Sequence, residues 1–168
     1  DFVGSQVCKS PGLLICGFAG LHICMSAGLQ LCTFAGLQIC RFAICKFAGA
    51  RNVIGTDLSK YRRDLARKLG ATRVIDPTKE SIQEAMAVHG MVAGFDIGLE
   101  CSGSPIAFND MVNNMYNGGK ISLLGLLPQN TQINWTKLIF KGLTLKGIYG
   151  REMYETWYHM EMMLTSGL

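Results

Sequence analysis

The chain has 168 residues, 49% of them hydrophobic, enough for one domain with a substantial core and too few to suggest two. Its formal net charge of +4 comes from 16 basic and 12 acidic residues. They are intermixed without a basic stripe, which argues against a nucleic-acid partner. The distribution along the chain is uneven, since residues 1–50 carry only Asp1, Lys9, Arg41 and Lys46 as charges yet hold six of the seven cysteines.

Within that first part the chain repeats every eight residues: Gly12-Leu13-Leu14-Ile15-Cys16, Gly20-Leu21-His22-Ile23-Cys24, Gly28-Leu29-Gln30-Leu31-Cys32 and Gly36-Leu37-Gln38-Ile39-Cys40. Eight residues turn an α-helix by about 800°, an offset of roughly 80° per repeat, so no helical face collects the cysteines. As a strand the even period puts Cys and Phe on one face and Leu and Ile on the other. Three readings compete. The first is a low-complexity tract, from tandem duplication of a short coding unit or a misread frame, whose equivalent units permit slipped registers. The second is a membrane span, because Ser10 to Cys40 has no Lys, Arg, Asp or Glu and exceeds the roughly 20 residues a bilayer needs. His22, Gln30, Gln38 and the many glycines count against it. The third is a metal site, but zinc sites use closely spaced pairs, and here seven residues intervene except between Cys40 and Cys45. Neither a cleavable secretory leader nor a disulfide framework is indicated. Residues 1–45 are therefore expected to lie outside the native fold and 46–168 to form the domain. Both ends of the chain read as cuts through a longer protein.

From Lys46 onward strand and helix signals alternate, which predicts parallel strands joined by crossover helices. Val53 to Asp57 reads as a strand, with Ser59 capping a helix that Gly70 stops. Asp57 closes the apolar run Val53-Ile54-Gly55-Thr56, where a doubly wound domain holds the adenosine ribose of a dinucleotide. Arg73-Val74-Ile75 is a short strand, Ser81 to His89 a helix, and Phe95 to Glu100 the next strand. Ser104-Pro105 opens a helix through Phe108, Met111 and Met115 that Asn117-Gly118-Gly119 breaks. Lys120 to Leu126 and Thr144 to Tyr149 read as strands, and Glu152 to Leu164 as a last helix whose Met and aromatic stripe suits core or subunit contact. The fold class is α/β, a doubly wound parallel sheet of Rossmann type, incomplete and preceded by the apolar repeat.

Several stretches resemble one known family. They are Lys46-Phe47-Ala48-Gly49-Ala50-Arg51, Thr56-Asp57-Leu58-Ser59-Lys60-Tyr61-Arg62, Gly94-Phe95-Asp96-Ile97-Gly98-Leu99-Glu100, Asn134-Trp135-Thr136-Lys137-Leu138-Ile139-Phe140-Lys141-Gly142 and Lys146-Gly147-Ile148-Tyr149-Gly150-Arg151-Glu152-Met153. Together they are similar to the threonine dehydrogenases of the zinc-dependent medium-chain alcohol dehydrogenase family, from Lys46 to Leu168. The resemblance implies a cytoplasmic, homo-oligomeric (tetrameric) oxidoreductase that uses NAD and a catalytic zinc to oxidise the secondary alcohol of L-threonine. It also implies cofactor contacts at Asp57, Arg62, Leu124, Gly125, Leu126, Ile148 and Tyr149.

The chain departs from the family where the glycine-rich phosphate loop belongs. Ungapped register puts Thr33, Ala35 and Gln38 at the three glycine positions and Leu37 at an apolar one, and side chains there would obstruct the phosphates. No catalytic residues or zinc ligands of the family are present, so this chain alone is expected to be inactive. The alternative from another class is a non-catalytic, membrane-attached or self-associating protein that keeps the α/β part as a scaffold; membrane attachment is the weaker reading. Tyr116 and Lys120 share the spacing of the short-chain dehydrogenase pair, but Gly118 and Gly119 disfavour the helix that pair requires. Cys101 has no histidine near it in sequence and reads as a buried or cofactor-lining thiol. His22, His89 and His159 read as isolated packing or surface residues.

Overall fold

The computed structural model describes residues 15–18, 21–24, 30–34, 45–46, 49–148 and 154–166. Two short strands, β1 (Ile15–Phe18) and β2 (Leu21–Cys24), form an antiparallel pair. Next come β3 (Gln30–Phe34), β4 (Asn52–Thr56), α1 (Lys60–Lys68), β5 (Arg73–Ile75), α2 (Ile82–Val88) and β6 (Phe95–Glu100). The series closes with α3 (Pro105–Asn114), β7 (Met115–Leu123), α4 (Trp135–Phe140), β8 (Thr144–Gly147) and α5 (Glu155–Thr165).

Six strands form one sheet in the order β5-β4-β3-β6-β7-β8, with every neighbouring pair parallel. Counted from β3, this is third, second, first, fourth, fifth, sixth: the doubly wound order, which reverses between β3 and β6. The central strand β3 thus comes from the third unit of the eight-residue repeat, on the N-terminal side of the boundary expected at Lys46. Its Leu31, Cys32, Thr33 and Phe34 pair with Val53 to Thr56 on one side and with Ile97 to Glu100 on the other. The described parts of Ser10–Cys40 are strands, and among the described residues no helix is long and apolar enough to cross a membrane.

Strands buried on both faces read as continuous apolar runs, and β4 and β5 follow that rule. Val53 and Val74 face a cluster with Ala66, Ile97, Leu99 and Met163, whereas Ile54 and Ile75 face one with Phe95, Phe108, Met111 and Ile121. The alternation has the strand period of two. α3 begins as expected, with Pro105 in the first turn and Ser104 Oγ accepting from Ala107 N–H. Its C-terminal carbonyls are closed from outside the helix. Lys141 Nζ donates to the carbonyls of Val112 (3.1 Å), Asn113 (2.7 Å) and Met115 (2.8 Å), which answers the orphan acceptors of a helix end.

Three local expectations differ from the structure. Ser59 precedes α1 but makes no side-chain cap; its N–H instead donates to Asp57 Oδ1 at 2.7 Å. β7 starts at Met115 rather than Lys120. Its register against β6 jumps from Phe95↔Met115 to Ile97↔Lys120, and Gly118 at φ 80° carries the irregular stretch. α4 has no counterpart among the predicted elements. It is six residues long, with Asn134 Oδ1 accepting from Lys137 N–H, and is too short for helical periodicity to show.

α2 carries a full capping box. Ser81 Oγ accepts from Glu84 N–H at 3.2 Å, and the Glu84 carboxylate accepts from Ser81 N–H at 2.7 Å. Replacing Ser81 by alanine should cost about 1 kcal/mol of stability, read as a lowered urea midpoint at unchanged m-value. An unchanged midpoint would mean that the box contributes nothing.

Candidate functional site

The parallel register levels the C-terminal ends of the strands. Phe34 lies opposite Thr56 and Glu100, Glu100 opposite Leu123, and Leu123 opposite Gly147. The next residues, Asp57, Cys101, Leu124 and Ile148, consequently stand along one rim. Four backbone bonds tie that rim together: Asp57 N–H to Ile75 O (3.1 Å), Leu124 N–H to Glu100 O (2.8 Å), Gly125 N–H to Glu100 O (3.1 Å) and Ile148 N–H to Leu123 O (2.9 Å). At about 4.8 Å per strand, Asp57 is some 14 Å from Leu124 and 19 Å from Ile148 across the sheet. Ligands of open α/β sheets bind in the crevice at this edge, where the strand order reverses.

Asp57 is buried at 6% exposure, and its carboxylate accepts two hydrogen bonds at Oδ1 and one at Oδ2. Arg62 Nε donates to Oδ2 at 2.6 Å and Arg62 Nη2 to Oδ1 at 2.8 Å, a two-pronged pair made possible by the first turn of α1. Hydrogen bonding and charge from Asp57 hold the Arg62 guanidinium further into its protonated range than usual. Arg63 braces the same turn, donating to the carbonyls of Asp57 and Leu58 (2.7 Å each) and pairing with Asp76 at 3.2 Å. Hydrogen bonds from Thr78, and then the charge of Arg63, depress the Asp76 carboxyl below its usual range.

Beside this pair opens a cavity of about 330 Å³, within the range of small-molecule sites. β4 and the start of α1 contribute Thr56, Asp57, Leu58 and Arg62; the turn after β5 contributes Pro77 and Thr78. The opposite wall is the beginning of α3, with Ser102, Ser104, Ile106, Ala107 and Asp110.

The remaining rim is organised by Glu100, whose side chain is completely buried. Its carboxylate accepts from Ser102 N–H (2.8 Å), Ser102 Oγ (2.6 Å) and Gly103 N–H (3.0 Å). The turn so held supplies the Ser102 and Ser104 wall of the cavity and packs against Leu126, whose carbonyl lies 2.6 Å from where a Gly103 Cβ would be. From sequence alone Glu100 reads only as a strand end. Its signal, an acid closing an apolar strand before Ser and Gly donors, resembles that at Asp57.

Of the seven residues singled out, Asp57 and Arg62 meet in the cavity, while Leu124, Gly125 and Ile148 lie further along the same rim. Leu126 is 94% exposed, and Tyr149 falls outside the described residues. Tyr116 and Lys120 sit in β7, not on a helix. Cys101 is half-buried, its Sγ 3.7 Å from Leu99 O.

A family model described as zinc-binding dehydrogenase matches residues 18–166, starting inside the repeat tract and including β3. The chain belongs to the zinc-binding dehydrogenase family. It is 56% identical over 126 residues to the L-threonine 3-dehydrogenase of Alteromonas mediterranea, a match covering 75% of this chain and 37% of that protein. The chain thus spans little more than a third of the length of the curated relatives it matches. Among solved structures, a protein assigned as an alcohol dehydrogenase from Thermotoga maritima superposes with TM-score 0.76 at 25% identity, covering 85% of this chain and 38% of that one. A zinc-binding dehydrogenase from Sinorhizobium meliloti, solved with NADP bound, does so with TM-score 0.73 at 24% identity, covering 84% and 43%.

The zinc that the family name implies does not fit the described residues. No group of three or more His, Cys, Asp or Glu among them could hold a metal ion. Asp57 is committed to Arg62 and Glu100 to its own turn. A dinucleotide fits better, with a carboxylate beside a cavity at the edge of the sheet.

Proposed function

We propose that the chain is the coenzyme-binding part of an NAD-dependent dehydrogenase acting on L-threonine. The observation that carries this reading is Asp57, at the end of β4, lining a cavity at the rim of a doubly wound sheet. In this reading the Asp57 carboxylate accepts hydrogen bonds from the adenosine ribose hydroxyls, and Arg62 holds it in orientation. Leu124, Gly125, Leu126 and Ile148, three and four strands away, border the nicotinamide half, and Tyr149, next in sequence, is assigned to it with them. The threonine assignment rests on the curated relatives, and the chemistry requires parts of the enzyme that this chain does not supply, so the chain alone is expected to bind without turning over. A cytoplasmic homo-oligomer, built by pairing of the edge strand β8 across a two-fold axis, belongs to the same reading.

The test is coenzyme-dependent melting of the purified chain. NAD at a hundredfold excess over its Kd should stabilise the fold by about 2.7 kcal/mol and raise the melting midpoint by roughly 5–10 °C, with NADP doing less at equal concentration. No shift with either dinucleotide, or a larger one with NADP, would refute the proposal.

A further inference from the structure

The Asp110 side chain makes no hydrogen bond or ion pair among the described residues, and it lines the cavity beside Asp57. We propose that Asp110 reads the base, its carboxylate accepting a hydrogen bond from the exocyclic amino group of an adenine and thereby selecting adenine over 6-oxopurine dinucleotides. The inference rests on the coenzyme reading above, which puts the ribose at Asp57.

Geometry supports it first. Ile106, Ala107 and Asp110 are three and four residues apart on α3 and share one helix face, the one that walls the cavity. Six residues at 1.5 Å each put Asp110 about 9 Å along the helix from Ser104, which stands near the rim. That is comparable to the reach of a nucleoside from its sugar hydroxyls to the far edge of the base. The same lining includes the apolar Leu58, Pro77, Ile106 and Ala107, suited to the flat faces of a purine.

The second support is hydrogen-bond accounting. Thr78 Oγ1 donates to Asp76 at 2.6 Å, Ser102 Oγ donates to Glu100 at 2.6 Å, and Ser104 Oγ accepts from Ala107 N–H at 3.4 Å. Asp57 accepts three hydrogen bonds from Arg62 and Ser59, and its remaining acceptor capacity, on Oδ2, is the part assigned to the ribose. Asp110 differs: its backbone carbonyl accepts from Asn114, but no hydrogen bond or ion pair reaches its carboxylate among the described residues. It is half-buried, and burial pushes its carboxyl above the ordinary range. The Asp110 carboxylate therefore keeps its acceptor sites for water or for a ligand that brings an N–H into the cavity. Adenine brings one at its amino group. Hypoxanthine and guanine present a carbonyl oxygen at that position, which a carboxylate repels.

Calorimetric titration of the chain with NAD and with nicotinamide hypoxanthine dinucleotide tests the assignment. NAD should bind about tenfold more tightly. Asp110→Asn, whose amide can donate to a carbonyl, should bring the two within about twofold, and Asp110→Ala should do the same by removing the acceptor. Asp57→Ser should weaken both ligands and leave their ratio in place. Equal wild-type affinities would overturn the role of Asp110 while leaving the coenzyme reading standing, as would a tenfold ratio that survives in the Asp110 variants. A chain that binds neither dinucleotide overturns both.

Discussion

Gly125→Ala is expected to destabilise the chain by about 3 kcal/mol or more, to lower its melting midpoint by roughly 6–12 °C, and to abolish dinucleotide binding. A Cβ at this position would collide with Glu100 Oε2 and with the Gly103 backbone, whose Cα would be 2.8 Å away. Neither neighbour can yield cheaply. Glu100 is fully buried and anchored by Ser102 and Gly103, and Gly103, at φ 69°, is itself pressed against the Leu126 carbonyl. Making room for the methyl group means pulling the Glu100 side chain off its donors, which leaves buried polar groups without partners at a cost of about 1–3 kcal/mol each. Because the same turn supplies Ser102 and Ser104 to the cavity wall, the damage should reach the adenosine side of the rim as well. Gly147→Ala is the control, since nothing lies within 4 Å of a Cβ there and its φ is not positive. That variant should stay within about 0.5 kcal/mol of the parent. Equal melting midpoints for the two variants would show that the Glu100–Gly125 contact is not a constraint.

The contrast between Asp57 and Glu100 shows what could be read from sequence and what could not. Both acids end apolar strands, and both are buried by the elements that follow. Asp57 was legible because its position relative to one strand and one helix is local and recurs in dinucleotide-binding domains. Glu100 has local donors too, in Ser102 and Gly103, but its close contact with Gly125, just past the end of β7, is non-local and pattern alone does not reveal it. Asp110 was hidden for the same reason, since lining a cavity is a property of assembled walls. Among the strands, Arg73–Ile75 and Phe95–Glu100 match the expected bounds because turn residues delimit them. The central strand was obscured by its own repetition. Four near-identical units that begin Gly-Leu and end in Cys are locally equivalent, and pairing with β4 and β6 is what sets Gln30–Phe34 apart.

Asp57→Ser should erase or invert the preference for NAD over NADP, a change of about a hundredfold in the ratio of dissociation constants. A 2′-phosphate about 5 Å from a carboxylate meets roughly 3 kcal/mol of repulsion per unit charge at an effective dielectric near 20, equivalent to about two orders of magnitude in affinity. Removing the acid does more than lift that repulsion. It releases Arg62 Nε and Nη2, now held at 2.6 and 2.8 Å, as a planar fork suited to a phosphate. The cost to the fold should be small, about 1–2 kcal/mol, because the Arg62 side chain is 42% exposed and water can solvate it once freed. Titration of NAD and NADP against Asp57→Ser and against Asp57→Ser/Arg62→Ala separates the two contributions. The single variant should gain NADP affinity, and the double variant should lose most of that gain while keeping the weakened NAD binding. If the single variant retains the parent's coenzyme ratio, the carboxylate does not face the ribose, and the functional assignment of the Asp57–Arg62 pair fails with it.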